Sequence, residues 1–296
     1  MIAARFSIVV FIFLSILTFE ASSQSKNGKK IVFLTTRDSH GKGEHEHNGG
    51  STLLIERLKE SLPDVETTIY RNDFPDDKSV FKNASTIVIM GDGGDDHFLI
   101  PHIPLLDSLM KKGVGLVMIH FSLEVPKEKA GTYFKNWVGG YFETDWSVNP
   151  VWTAEFNKLP KHPITNGVQP FSIKDEWYYH LRFTESMKNI TPILQVLPPE
   201  STLSREEGTH SNNKFVREDV LVKKIPQTMA WAYDRQDGGR GFGFTGGHFH
   251  VNWQNDNFRK LVLNAIAWTA KIDVPKNGIN SRTPADAELQ SLIKPQ

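Results

Sequence analysis

Between residues 30 and 120 the chain alternates short apolar runs with helical patterns, and this alternation constrains the fold more than any other feature of the sequence. Lys30–Thr35, Val65–Tyr70, Thr86–Met90 and Val114–Ile119 have the length and β-branched content of buried strands. After the first run, Ser51 is placed to cap a helix that carries Leu54, Leu58 and Leu62 on one face. Leu105–Lys112 reads as a second helix, stopped by Gly113. Strands separated by helices predict an α/β fold, a doubly wound and mostly parallel sheet with helices on both faces.

The middle of the chain breaks the pattern. Trp137–Asp175 is rich in Trp, Pro, Gly and Asn and reads as an irregular insertion with one strand at Val151–Phe156. Trp177–Phe183, Thr191–Val196, Gln227–Tyr233 and Gly241–Thr245 have strand character, and residues 198–213 form a polar surface loop. Asp256 can cap a closing helix whose apolar stripe is Phe258, Leu261, Val262, Ala265 and Trp268. The domain then spans 24–275, with 276–296 as a C-terminal appendage.

The first 23 residues read as a secretory signal peptide. Arg5 supplies a positive start, Ile8–Leu17 is apolar apart from Ser15, and Ala21-Ser22-Ser23 offers small residues for cleavage before Gln24. A membrane anchor is the alternative, but the run is short for a span of ~20 residues. The expected location is periplasmic or secreted, with no stable membrane insertion after cleavage. Lys+Arg and Asp+Glu balance at 34 each, which argues against a nucleic-acid partner. The oligomeric state is not readable from the sequence. There is no cysteine, so disulfides, thiolate metal sites and cysteine nucleophiles are excluded. Any metal must be held by histidine and carboxylate.

Seven of the eleven histidines lie in four polar segments that each follow a predicted strand: His40–His47, Asp92–His97, His120–Glu124 and Gly246–His250. In an open parallel sheet, such loops converge on one crevice. His40 joins two His-x-His pairs, His45/His47 and His248/His250, as candidate ligands. On extended backbone, each pair would point both imidazoles the same way. A divalent ion, zinc or manganese, would suit such imidazoles with carboxylates. His120, His248, Asp175 and Glu176 are candidate catalytic groups. The two carboxylates sit beside Trp177-Tyr178-Tyr179, where burial would tune them for proton transfer. Each of these residues also has a structural alternative, as a buried side chain bonded to backbone or as a solvated surface group. Ser122 lacks the glycines of a nucleophile elbow. The glycines of residues 238–247 match no nucleotide-binding fingerprint, so no nucleotide is expected. Trp146, Asn149, Trp177, Tyr178 and Trp253 are candidate sugar-binding residues, because aromatic rings stack on sugar faces.

A resemblance adds to this reading. Asp38-Ser39-His40-Gly41, Gly43–Gly50, Trp146–Pro150, Asp175–Tyr179, Thr245–Trp253 and Phe258–Trp268 resemble, in order, the ThuA-like (trehalose utilisation) family and its exported form. The resemblance implies a flavodoxin-like α/β sandwich similar to class I glutamine amidotransferases. The nucleophile of those enzymes would follow the strand ending at His120, and no cysteine stands there. The resemblance further implies a small carbohydrate substrate, including 3-keto sugars. The expected function is therefore an exported enzyme acting on keto-disaccharides or keto-glycosides by acid/base elimination, isomerisation or hydrolysis, with or without a metal. The rival is a non-catalytic carbohydrate-binding protein with a tryptophan-lined crevice.

Overall fold

The apolar runs pair as their alternation requires. The computed structural model describes residues 28–294; the signal peptide read at 1–23 lies outside them. Strands and helices follow in the order β1 (Lys30–Thr35), α1 (His47–Ser61), β2 (Glu66–Tyr70), β3 (Thr86–Met90), α2 (Ile103–Lys111), β4 (Gly115–Ile119), α3 (Thr132–Val138), β5 (Gly140–Tyr141), β6 (Val151–Phe156), β7 (Phe171–Glu176), β8 (Arg182–Phe183), β9 (Ile190–Val196), α4 (Lys214–Arg217), β10 (Gln227–Asp234), β11 (Arg240–Phe244), α5 (Asp256–Thr269) and α6 (Asp286–Ser291). Seven strands form one sheet in the order β2-β1-β3-β4-β11-β10-β9. The first five are mutually parallel, and β10 runs antiparallel to both its neighbours.

Both faces of the sheet are covered. Along β1, Ile31 and Phe33 join one apolar layer with Leu54 and Leu58 of α1 and Leu261, Ala265 and Trp268 of α5. Val32 and Leu34 join the other, with Leu106 and Met110 of α2 and Phe134 and Trp137 of α3. This is the mostly parallel, flavodoxin-like α/β arrangement expected from the sequence. The order reverses between β1 and β3, since β2 lies on the far side of β1. A crevice therefore opens outside the carboxyl ends of these strands. Among the described residues no helix is long and apolar enough to cross a membrane.

Three local expectations change. First, α1 begins at His47, four residues before the Ser51 cap read from the sequence. The Gly49-Gly50 pair looks like loop, but it allows close approach. A Cβ on Gly49 would lie 2.1 Å from the Leu292 carbonyl oxygen, and one on Gly50 would meet Met90 and Trp253. Second, the insertion contains the hairpin β6–β7, and the strand read at Trp177–Phe183 ends instead at Glu176. Trp177, Tyr178 and Tyr179 are apolar because they cross the core, and the chain then turns at His180 with φ 57°.

Third, residues beyond 275 are packed, not appended. Ile279 and Leu289 are buried. The buried Arg57 of α1 donates to Glu288 and to the Arg282 carbonyl oxygen. Lys294 reaches the β1–α1 loop: its Nζ donates to the Ser39 and Glu44 carbonyl oxygens, and its N–H donates to Glu46 at 2.9 Å.

Candidate active site

Four sheet strands and one hairpin deliver the site. The loop after β1 carries His45, β3 leads to Asp92, β4 ends at His120, β11 leads to His248, and β7 ends in Glu176. Two of the loops are joined directly. Glu44 and Phe249 form an antiparallel bridge, the His45 N–H donates to the His248 carbonyl oxygen at 3.0 Å, and the His250 N–H donates to that of Gly43 at 2.8 Å. His45 and His248 meet because their backbones are paired.

The turns that aim the side chains are strained. His40, His45 and His120 have φ of 58°, 44° and 57°. Left-handed backbone of this kind costs about 1–3 kcal/mol per non-glycine residue and concentrates at functional sites. His120 makes a sharp strand-to-helix turn at the end of β4, so its imidazole points into the crevice. Ser122 braces that turn. Its hydroxyl accepts from the Ile119 N–H at 3.0 Å and donates to the Ile119 carbonyl oxygen at 2.9 Å. It is spent on backbone and is not a nucleophile.

One ring nitrogen each of His45, His120 and His248 and one oxygen of Glu176 lie within 4.8 Å of one another. His45 Nε2 is 3.0 Å from His248 Nδ1 and 3.1 Å from His120 Nε2. Glu176 Oε2 is 3.2 Å from His248 Nδ1 and 3.4 Å from His120 Nε2. Each imidazole has an acceptor on its far side. His120 Nδ1 lies 2.7 Å from the Thr245 carbonyl oxygen, which can only accept, so Nδ1 carries the proton and Nε2 presents a lone pair. His45 Nδ1 is 3.3 Å from Asp92, and His248 Nε2 faces Glu44 at 3.8 Å. Inward lone pairs with outward donors are the arrangement that histidines adopt around an ion.

Charges in the cluster are uneven. Burial pushes the His45 imidazole down to about 3, so it is neutral near pH 7. Burial would raise the Glu176 carboxyl, but the imidazoles of His120 and His248 facing it outweigh this and hold the group well below its ordinary range. Burial lowers His248, and the Glu176 carboxylate outweighs this and raises it. Asp92 stays ionised in the same way: burial opposes the charge, and bonds from His45, His47 and Ser39 win. Tyr178 stacks on His120 at 4.4 Å between ring centroids, with its hydroxyl 3.1 Å from His120 Nε2. Burial keeps that hydroxyl protonated.

Several residues named from the sequence are placed differently. Asp175 is not in the crevice with its neighbour, because successive residues of β7 face opposite ways. Its buried carboxylate accepts from the N–H groups of Gly247 and His248 at 2.7 and 3.1 Å, and so anchors the loop that carries His248. The two His-x-His pairs do not each share an ion, because neither lies on extended backbone. His47 opens α1, and its Nε2 lies 2.9 Å from Asp92, behind the cluster. His250 opens a 3₁₀ turn facing Leu289 of α6, with both ring nitrogens buried and unpartnered among the described residues. His40 remains exposed at the mouth, its ring 3.7 Å from that of His45. One ligand atom each of His40, His45 and Asp92 lie within 4.8 Å of one another, so His40 keeps its place as a candidate ligand. His97, also at a strand end, is saturated by the Ser122 carbonyl oxygen and the Leu99 N–H, and burial takes it down to about 4.

The tryptophans named from the sequence do not line the crevice. Trp177 is 0% exposed and packs on Phe156, Phe244 and Phe258, and Trp253 is 1% exposed beneath α1. They are large apolar groups used as core. Trp146 is half-buried, stacked between His180 and the Arg182 guanidinium. Asn149 does reach the site region. It lines a cavity of about 340 Å³ with Trp152, Glu176 and Arg205. A second cavity, of about 650 Å³, is lined by Phe121, Glu124, Glu143, Asp145 and His210 among others.

Asp92, Glu44, Glu124 and His210 were not singled out as site residues. Asp92 lies two residues after the end of β3, within reach of the strand-end signal that found the histidines. Glu124 follows His120 by one turn. Nothing local marks His210, which lies in the polar loop at 198–213.

The fold can be set beside known proteins. A crystal structure of a ThuA-like protein from Bacteroides uniformis superposes with a TM-score of 0.57 at 16% identity, over 85% of this chain and 95% of that one. One from Parabacteroides merdae gives 0.53 at 15% identity, over 86% and 97%. At these identities the likeness is one of fold. No curated protein matches the sequence. A family model described as "ThuA: Trehalose utilisation" matches residues 31–269, a span that holds all of the main sheet but its first residue, Lys30, and every residue of the histidine–Glu176 cluster. The chain is therefore a member of the ThuA family.

Proposed function

We propose that the chain is a carbohydrate-processing enzyme that acts on keto-disaccharides or keto-glycosides, and that His45, His120, His248 and Glu176 hold one divalent ion. The family's link to trehalose utilisation supports the carbohydrate side. One observation carries the chemistry: three imidazole nitrogens and a carboxylate oxygen converge within 4.8 Å. The acceptors behind the imidazoles fit the same purpose. A set of nitrogen and oxygen donors without thiolate suits zinc or manganese. Such an ion, when bound, polarises a carbonyl oxygen.

The chain's own groups supply the rest. Asp92 and the Thr245 carbonyl oxygen fix the orientation of His45 and His120. A keto group acidifies the neighbouring C–H, and an imidazole or carboxylate at the crevice wall takes that proton. Elimination of the glycosidic oxygen, or return of the proton to another carbon, completes the reaction. The burial of Trp177 and Trp253 weighs against the rival reading, a tryptophan platform for passive sugar binding.

Untagged protein should carry close to one equivalent of a transition metal. Less than about a tenth, with activity indifferent to chelator, removes the metal from the proposal. Incubation with 3-keto and unoxidised disaccharides should give turnover of the keto sugars, and His120→Ala should abolish it. Turnover of neither class returns the chain to a binding role. We also propose export, which N-terminal sequencing of mature protein starting near Gln24 would support.

A further inference from the structure

We infer that Glu124 and His210 form an acid–base dyad that serves a sugar bound in the 650 Å³ cavity beside the histidine–Glu176 cluster. The inference rests on the carbohydrate reading above and places a second reactive pair next to the ion site.

The cavity and the cluster share a wall. Phe121 lines the cavity, and its ring lies 5.6 Å from that of His45 and 6.1 Å from that of His40. Glu124 and His210 stand on the same lining. Glu124 is 5% exposed, and its Oε1 lies 2.8 Å from His210 Nε2. The Thr144 hydroxyl donates to that oxygen at 3.1 Å. A carboxylate oxygen can only accept, so His210 carries a proton on Nε2, and Nδ1 is the nitrogen left to take up or give a proton. Nδ1 has no hydrogen-bonding partner among the described residues, and a third of the side chain is exposed. The bond to Glu124 is also the main reason that the His210 imidazole is raised above its ordinary range, with Glu176 adding to it.

The backbone is built to hold this ring. His210 has φ 64° in an otherwise irregular loop. Its N–H donates to the Thr144 carbonyl oxygen at 3.2 Å, and its own carbonyl oxygen accepts from the Asn149 N–H at 2.9 Å and from Arg205 at 2.8 Å. The ring stacks on Phe142 at 5.3 Å. A strained residue held on every side, with one ring nitrogen left over, is the pattern of a preorganised base. Its chemistry balances without a co-reactant. Nδ1 takes the proton next to the keto group, and the C–H electron pair becomes a C=C bond. The glycosidic C–O bond then breaks with its own pair, and the leaving oxygen takes the proton back from the imidazolium.

Two measurements test the dyad. In metal-loaded protein, His210→Ala should lower kcat on a keto-disaccharide about 10²–10³-fold, in the range of lost general acid–base catalysis. KM, metal content and thermal midpoint should hold, and added imidazole should recover part of the loss. In protein labelled at imidazole nitrogen, a saturating keto-disaccharide should move the His210 Nδ1 resonance. Activity of His210→Ala within twofold of wild type, a loss that imidazole does not recover, or an unmoved Nδ1 resonance overturns the dyad. If wild type itself neither turns over nor binds any sugar, the carbohydrate reading falls and takes the dyad with it. Turnover by wild type and His210→Ala alike removes the dyad alone.

Discussion

At the scale of single residues, the site depends on which way a side chain leaves the backbone. Asp175 and Glu176 are neighbours, yet one anchors a loop and the other faces the cluster. His45 and His120 point inward because φ is positive at both. The presence of histidine at strand ends could be read directly from the sequence. The sign of φ, and with it the separation of the histidines that converge from those that brace them, could not, because it is set by partners far along the chain. The tryptophans misled for a related reason: a large ring beside polar residues looks exposed until the strand beneath it is known. Trp177→Ala should destabilise the protein by roughly 3–5 kcal/mol, as loss of a fully buried ring does, measured by urea unfolding. A cost below about 1 kcal/mol would mean that the ring is not core. Asp92→Asn should keep the fold but weaken metal binding about 10–100-fold, the usual effect of removing the acceptor behind a ligating histidine. Competition against a chelator reads this, and unchanged affinity would detach Asp92 from the site.

Elements were more legible than side chains. Every strand of the main sheet was recognisable from short apolar runs, and the closing helix from its stripe. The hairpin β6–β7 was half seen, because β7 alternates buried and exposed residues within a polar stretch. The packing of residues beyond 275 was missed. Its contacts are mostly polar, made by Arg57, Glu288, Arg282 and Lys294, and leave no apolar periodicity. Gly49→Ala should disturb this packing, since the added carbon would meet the Leu292 carbonyl oxygen. Faster amide exchange across 286–294 is the expected result, and unchanged exchange would show that the contact is loose. Glu288 gives the same region a pH signature. Hydrogen bonds from Arg282 and then Arg57 bring its carboxyl from 4.5 down to about 2. A depressed carboxyl stabilises the fold above its unfolded value, and that contribution fades as pH falls from about 4.5 towards 2. Glu288→Gln should flatten this acid limb in thermal melts, and an identical pH dependence would remove Glu288 from the account.

At the scale of the whole molecule, the cluster draws on distant parts of the chain. His45 and His248 touch although 203 positions separate them. Glu176 arrives from the inserted hairpin and His120 from the middle of the sheet, so the site exists only when sheet and insertion are both assembled. Metal at a hundred times its dissociation constant should add about 2.7 kcal/mol of stability, seen as a raised Tm that chelator reverses. A Tm indifferent to both would speak against the ion. The same geometry bears on durability. A chain without cysteine has no covalent bridge to close its long loops. An ion gripped by residues from four separate stretches would close them reversibly, and loop closure over such distances restricts the unfolded chain most. On the proposed metal reading, ion supply would then bear on how long the protein resists proteolysis.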